Sequence, residues 1–135
     1  MGKKIVFLSG PMRGVPRDQG LAWRQEATRL LQHHFKVLHS YRGREEKETF
    51  PDPRLAVIRD KNDIVRASAV LVNDTFPNAP MIGTSMEVLW ANLHHKVIIV
   101  FGDAHRGNYF LDFHCHARVP TLQSACKLLN RMFTE

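Results

Sequence analysis

Apolar residues fall into two alternating patterns along this chain: short continuous runs, and longer stretches at helical spacing. The run Ile5-Val6-Phe7-Leu8 makes residues 4–8 a buried first strand, stopped by a Gly10-Pro11 turn. Residues 20–34 follow as a helix, with Leu21, Ala22, Ala27, Leu30 and Leu31 as its apolar positions. Residues 35–38 form a second short strand. Asp52 then caps a helix with Pro53 at its first position, running to about Ala67 and turning Leu55, Ile58 and Val65 inward. Residues 69–72 and 97–101 are further apolar strands, separated by a helix that starts near Gly83 and ends near His94-His95. A short strand at 117–119 and a helix at 122–133 capped by Thr121 close the pattern. Residues 40–53 are polar and charged, a surface loop long enough to cover a site.

Apolar strands alternating with helices predict a single α/β domain over residues 1–135. Its architecture is a flavodoxin- or Rossmann-like parallel sheet of about five strands, with helices on both faces. Such sheets bind ligands in the crevice at the carboxyl ends of the strands, where the strand order switches. The loop after strand one, the loop after strand three and the helix carrying Glu87 all open on that edge.

Composition narrows the picture only a little. The 135 residues are 44% hydrophobic and 24% charged, as in ordinary globular domains. The net charge of +6 suits nucleic acid or a phosphorylated small molecule. The basic residues are scattered without interleaved aromatics, which argues against nucleic acid. Two cysteines, Cys115 and Cys126, without paired spacing fit a reducing, cytoplasmic setting. The apolar run after Lys3-Lys4 is too short for a signal peptide, and nothing reaches the length of a membrane span. The eight histidines, His114-Cys115-His116 included, lack zinc spacing and read as surface or dimer-contact residues, so no metal is expected.

Three stretches carry candidate chemistry. Ser9-Gly10-Pro11-Met12-Arg13-Gly14 permits a tight loop with outward N–H groups and an arginine fork suited to phosphate. It is neither a Walker A loop nor a dinucleotide fingerprint, and it equally suits a plain turn. Asp60 lies mid-helix, where aspartate is disfavoured, either for a task or on a solvated face beside Arg59, Lys61 and Arg66. Thr84-x-x-Glu87 reads as a capping box in the first turn of its helix, or as a carboxylate placed at a site.

Taken in order, Phe7-Leu8-Ser9-Gly10-Pro11-Met12-Arg13, Arg59-Asp60-x-x-x-Ile64-x-x-Ala67 and Gly83-Thr84-x-x-Glu87-Val88 resemble the nucleoside 2-deoxyribosyltransferase superfamily over roughly the first 100 residues. The Arg13 loop looks most like that of the nucleoside 5′-monophosphate N-glycosidases. The resemblance implies Glu87 as nucleophile at the anomeric carbon and Asp60 as the acid assisting the leaving base. It implies Gly10, Met12, Arg13 and Gly14 as a phosphate loop, with Ser9, Gly83 and Ser85 beside the substrate. It further implies a small nucleotide substrate, no cofactor and a homodimer. Two departures stand out: Pro11 removes one loop N–H, and Phe7 replaces a tyrosine near the sugar. Phe at that place, with His39-Ser40-Tyr41-Arg42, is similar to the cytidylate hydrolases and implies acceptance of ribonucleotides such as CMP. The alternatives are a base-exchanging deoxyribosyltransferase and a non-catalytic nucleotide-binding protein.

Overall fold

The computed structural model describes residues 2–41 and 52–134. Five parallel strands form one sheet: β1 (Lys4–Ser9), β2 (Phe35–His39), β3 (Ala69–Asn73), β4 (Val97–Phe101) and β5 (Ala117–Val119). Their order is β2-β1-β3-β4-β5, so the chain reverses direction across the sheet between β1 and β3. The helices are α1 (Arg17–Leu31), α2 (Pro53–Arg66), α3 (Ile82–Leu93), α4 (Tyr109–His114) and α5 (Leu122–Phe133).

Strand side chains alternate between two cores. Val6, Leu8, Leu71, Ile99 and Phe101 pack under α1 and α5, with Trp23, Ala27, Ala125 and Leu129. Phe7, Val70, Val72, Ile98 and Val100 pack under α2, α3 and α4, with Ile64, Val88, Ala91 and Leu111. Both faces being covered explains why the strands read as unbroken apolar runs. The Asn130 amide ties α5 to α1 by donating to the Leu30 carbonyl at 3.0 Å.

The Asp52 cap is formed: its carboxylate accepts from the Arg54 N–H at 2.9 Å, and Pro53 opens α2. The Thr121 cap on α5 is a reciprocal box with Ser124. The inward face of α2, however, is not the expected one. Leu55, Ile58 and Val65 are exposed, Ile58 by 62%. Ile64 is buried beneath the helix, and Val57 and Asp60, on the same helical stripe, line a cleft. On α1 the buried stripe is Gly20, Trp23, Arg24, Ala27 and Leu31, and the expected inward Ala22 is exposed. The short helix α4 had no counterpart in the sequence pattern, because six residues hold too few turns for a period to show. Of the expected surface loop at 40–53, Ser40 and Tyr41 are buried instead, and residues 42–51 lie outside the described residues.

Candidate active-site cleft

The cleft lies at the carboxyl ends of β1 and β3, where the strand order switches, and encloses about 600 Å³. Its rim begins where β1 ends. Ser9 is buried there, paired in register with Val72 of β3. Gly10 follows because nothing larger fits: a Cβ would stand 2.9 Å from Trp23 Cζ2 and 3.2 Å from Asn73 Cβ. The loop then turns back through a bond from the Val15 N–H to the Met12 carbonyl at 3.3 Å, with Gly14 at φ +78°. Arg13 is exposed at the rim and makes no ion pair among the described residues.

Helix α3 supplies the opposite wall, and here the capping reading is overturned. The helix begins at Ile82 with Met81 before it and no side-chain cap bond. Thr84 is therefore inside the helix, buried, its hydroxyl without a partner among the described residues. Glu87 falls in the second turn, past the orphan N–H groups that a cap serves. Its Oε1 instead accepts a 2.6 Å hydrogen bond from the Ser9 hydroxyl, across 78 residues of sequence. The Ser85 N–H already bonds the Met81 carbonyl at 2.8 Å, after a turn from Phe76 to Ala79, so the helix starts ahead of Thr84.

Helix α2 places the second carboxylate. Asp60 Oδ2 accepts from the Ser40 hydroxyl at 2.9 Å, and Arg59 Nη2 donates to the Ser40 carbonyl at 2.9 Å. The end of β2 thus fixes Asp60 opposite Glu87. Trp90, one turn beyond Glu87, lines the same cleft, with the Lys61 ammonium 5.5 Å from its ring centroid.

Burial pushes the Glu87 carboxyl up to about 8. The Ser9 hydrogen bond opposes that rise, the Asp60 charge adds to it and the Arg24 charge opposes it. Glu87 therefore carries a proton readily near neutral pH, a property suited to a group that cycles between charged and neutral forms.

Among the ten residues expected at the site, Gly10, Met12, Arg13, Asp60, Gly83 and Glu87 line one cleft. Ser9 stands behind them as the partner of Glu87. Phe7 is 0% exposed in the core with Leu38, Ile64 and Val88, so its ring does not face the cleft. Gly14 does not line the cleft itself but stands behind it, where a Cβ would lie 3.1 Å from Pro80 Cδ. Ser85 lies on the far side of α3, in a second concavity toward α4, because two residues along a helix rotate a side chain by more than half a turn. Ser40, Thr84, Trp90 and Arg24 belong to the site or its support and were not predicted. Ser40 and Thr84 fall within stretches that carry the resemblance, and Arg24 is a charge on the inward stripe of α1.

The His114-Cys115-His116 segment is accounted for by local bonding. His114 Nδ1 lies 2.6 Å from the Phe110 carbonyl, and His116 Nδ1 accepts from the Ile98 N–H at 2.9 Å. Among the described residues no group of three His, Cys, Asp or Glu side chains could hold a metal ion. None of the described helices is long and apolar enough to cross a membrane.

No family model and no curated protein matches the sequence. Solved structures do match. A 2-deoxyribosyltransferase from Bacillus psychrosaccharolyticus superposes with a TM-score of 0.69 at 15% identity, over 89% of this chain and 88% of that one. A CMP N-glycosidase from Clostridium botulinum gives 0.63 at 15% identity, over 96% and 100%. A molybdenum cofactor binding protein from Rippkaea orientalis gives 0.65 at 15% identity, over 99% of each chain. The chain has the 2-deoxyribosyltransferase-like fold.

Proposed function

We propose that the chain is an N-glycosidase that hydrolyses a nucleoside 5′-monophosphate to free base and sugar 5-phosphate. The observation that carries this reading is Glu87, held by Ser9 in the second turn of α3 rather than spent as a cap, facing a cleft shared with Asp60. The likeness to an N-glycosidase and a deoxyribosyltransferase supports the class of chemistry, and the exposed Arg13 supports the phosphate.

The substrate phosphate sits against the Gly10–Arg13 loop and the first turn of α3, where Gly83 leaves open space and the helix N-terminus favours an anion. This places C1′ over Glu87. The carboxylate attacks C1′ as the C–N bond breaks through an oxocarbenium-like state, and the bonding pair leaves with the base. Asp60 delivers the proton that neutralises the departing base. Water then attacks C1′ and frees the Glu87 carboxylate, its proton returning to Asp60. Every atom and proton is accounted for with this chain's own groups, and the reading includes no cofactor. Attack needs Glu87 ionised and departure of the base needs Asp60 protonated, so the reactive form keeps one proton on the carboxyl pair, and kcat/KM falls as pH rises through about 8, where that proton is lost.

The protein acts as a cytoplasmic homodimer in this reading. Incubation with a panel of nucleotides and nucleosides, with free base followed by chromatography, tests it. Base released from monophosphates and not from nucleosides supports the hydrolase, and the CMP/dCMP ratio reports the sugar preference. Base exchange without net hydrolysis would instead establish a transferase. Binding without turnover would make the chain a carrier or sensor, the reading favoured by its likeness to the molybdenum cofactor binding protein.

A further inference from the structure

Gly83, Glu87 and Trp90 follow one another at helical spacing along α3, and all three line the cleft. At the rise of an α-helix they stand about 6 Å and then about 4.5 Å apart along the axis. A nucleoside monophosphate carries its chemistry in the same order: an anionic phosphate, an anomeric carbon, then a flat aromatic base. With the phosphate at Gly83 and C1′ at Glu87, the base falls one turn further along, against Trp90.

The Trp90 ring is held for such a contact. It packs on the core that contains Ile64, Val88 and Ala91. The Lys61 ammonium lies 5.5 Å from its centroid. Trp90 lines the cleft and Lys61 does not, so the ammonium meets the ring from outside the cleft. Lys61 directly follows Asp60, so the same contact ties Trp90 to α2 beside the acid that must reach the base. Val57 from α2 and Met86 from α3, both exposed, give this part of the cleft apolar walls. Apolar walls offer nothing to sugar hydroxyls and favour a planar ring.

We infer that Trp90 is the stacking platform for the substrate's base, and that the cleft takes ligands with a heteroaromatic ring beyond the phosphorylated sugar. The inference deepens the glycosidase reading and rests on its placement of phosphate and C1′. Every base has a π face, so a stack of this kind sets the class of ligand and leaves the choice of base to other contacts.

Calorimetric binding of CMP, AMP and ribose 5-phosphate, in the Glu87→Gln background where no substrate is consumed, tests it. Trp90→Leu keeps an apolar side chain and removes the flat ring. It should weaken CMP and AMP roughly ten- to hundredfold, the range for one lost base–aromatic stack, and leave ribose 5-phosphate unchanged. Trp90→Phe should restore most of the loss. Unchanged nucleotide affinity in a folded Trp90→Leu protein, or an equal loss for ribose 5-phosphate, would overturn the inference. If Trp90→Leu does not fold, the indole N–H resonance of Trp90, one of two tryptophans in the chain, decides. CMP and AMP should shift it through the ring current of the base, and ribose 5-phosphate should leave it in place. A resonance that nucleotides do not move overturns the proposal. A wild type that binds nucleotides through Trp90 without turnover would refute the glycosidase reading and leave the stack standing, whereas a chain that binds none of the three ligands would refute both.

Discussion

Glu87 shows how one residue can satisfy two patterns in sequence and only one in space. As a capping-box residue its replacement by glutamine, which serves the same box, would change stability little and leave activity intact. In the cleft it has the opposite signature. Its ordinary value is 4.5 and its folded value about 8. Between those limits the unfolded chain has released the proton and the folded chain still holds it, so stability falls as pH rises through the window. Glu87→Gln, which mimics the protonated form, should therefore lose turnover, keep nucleotide binding and become more stable than wild type toward pH 8. Urea unfolding at several pH values, with activity on the same samples, checks this; an active Glu87→Gln enzyme ends the nucleophile assignment. Arg13→Ala removes an exposed charge from the rim. A charge-assisted contact contributes about 1.5–3 kcal/mol, so KM for the monophosphate should rise roughly ten- to hundredfold with the fold unchanged. Equal loss for nucleoside and nucleotide would remove the phosphate from Arg13.

Helix α3 joins stability and function in one element. Its second residue, Gly83, has helical backbone and nothing within 4 Å of an added Cβ. Glycine in a helix costs about 0.5–1 kcal/mol relative to alanine. Gly83→Ala should accordingly stabilise the protein by that amount in urea unfolding. Gly83→Leu should keep the stability and lose nucleotide binding, because its side chain fills the cleft. A Gly83→Leu protein that binds as wild type would place the ligand elsewhere. The same helix explains why Ser85 was misplaced: Glu87 and Gly83 share a face, and Ser85 points toward α4.

At the scale of the whole molecule, the helix layer over one face of the sheet turns apolar side chains outward. Ile58 on α2, Ile82 and Leu93 on α3, and Phe110 and Phe113 on α4 all stand in solvent, the two phenylalanines by 76% and 82%. These helices share one layer, and exposed apolar surface on this scale marks an interaction site. With a second copy of the chain as the partner, light scattering should give about twice the 15.5 kDa chain mass. Phe110→Lys with Phe113→Lys should yield a folded monomer. A monomeric wild type at high concentration would exclude the homodimer.

Strand runs and turn chemistry are local, so the sheet was legible in the chain: β4, β5, α5 and the caps at Asp52 and Thr121 stand where pattern alone puts them. The motifs that became the cleft were legible for the same reason, each being a short run with its own chemistry. Which way a helix rolls about its axis is not local. The apolar stripe of α2 lost the core to the stripe of Asp60 and Ile64, because that face meets the end of β2 and Ser40. Arg24 became buried because the Gly10 carbonyl and the Tyr41 ring converge on it from other segments, beside the Gly20 carbonyl and Trp23 of its own helix. The choice between cap and site at Glu87 was made across 78 residues, by the hydroxyl of Ser9.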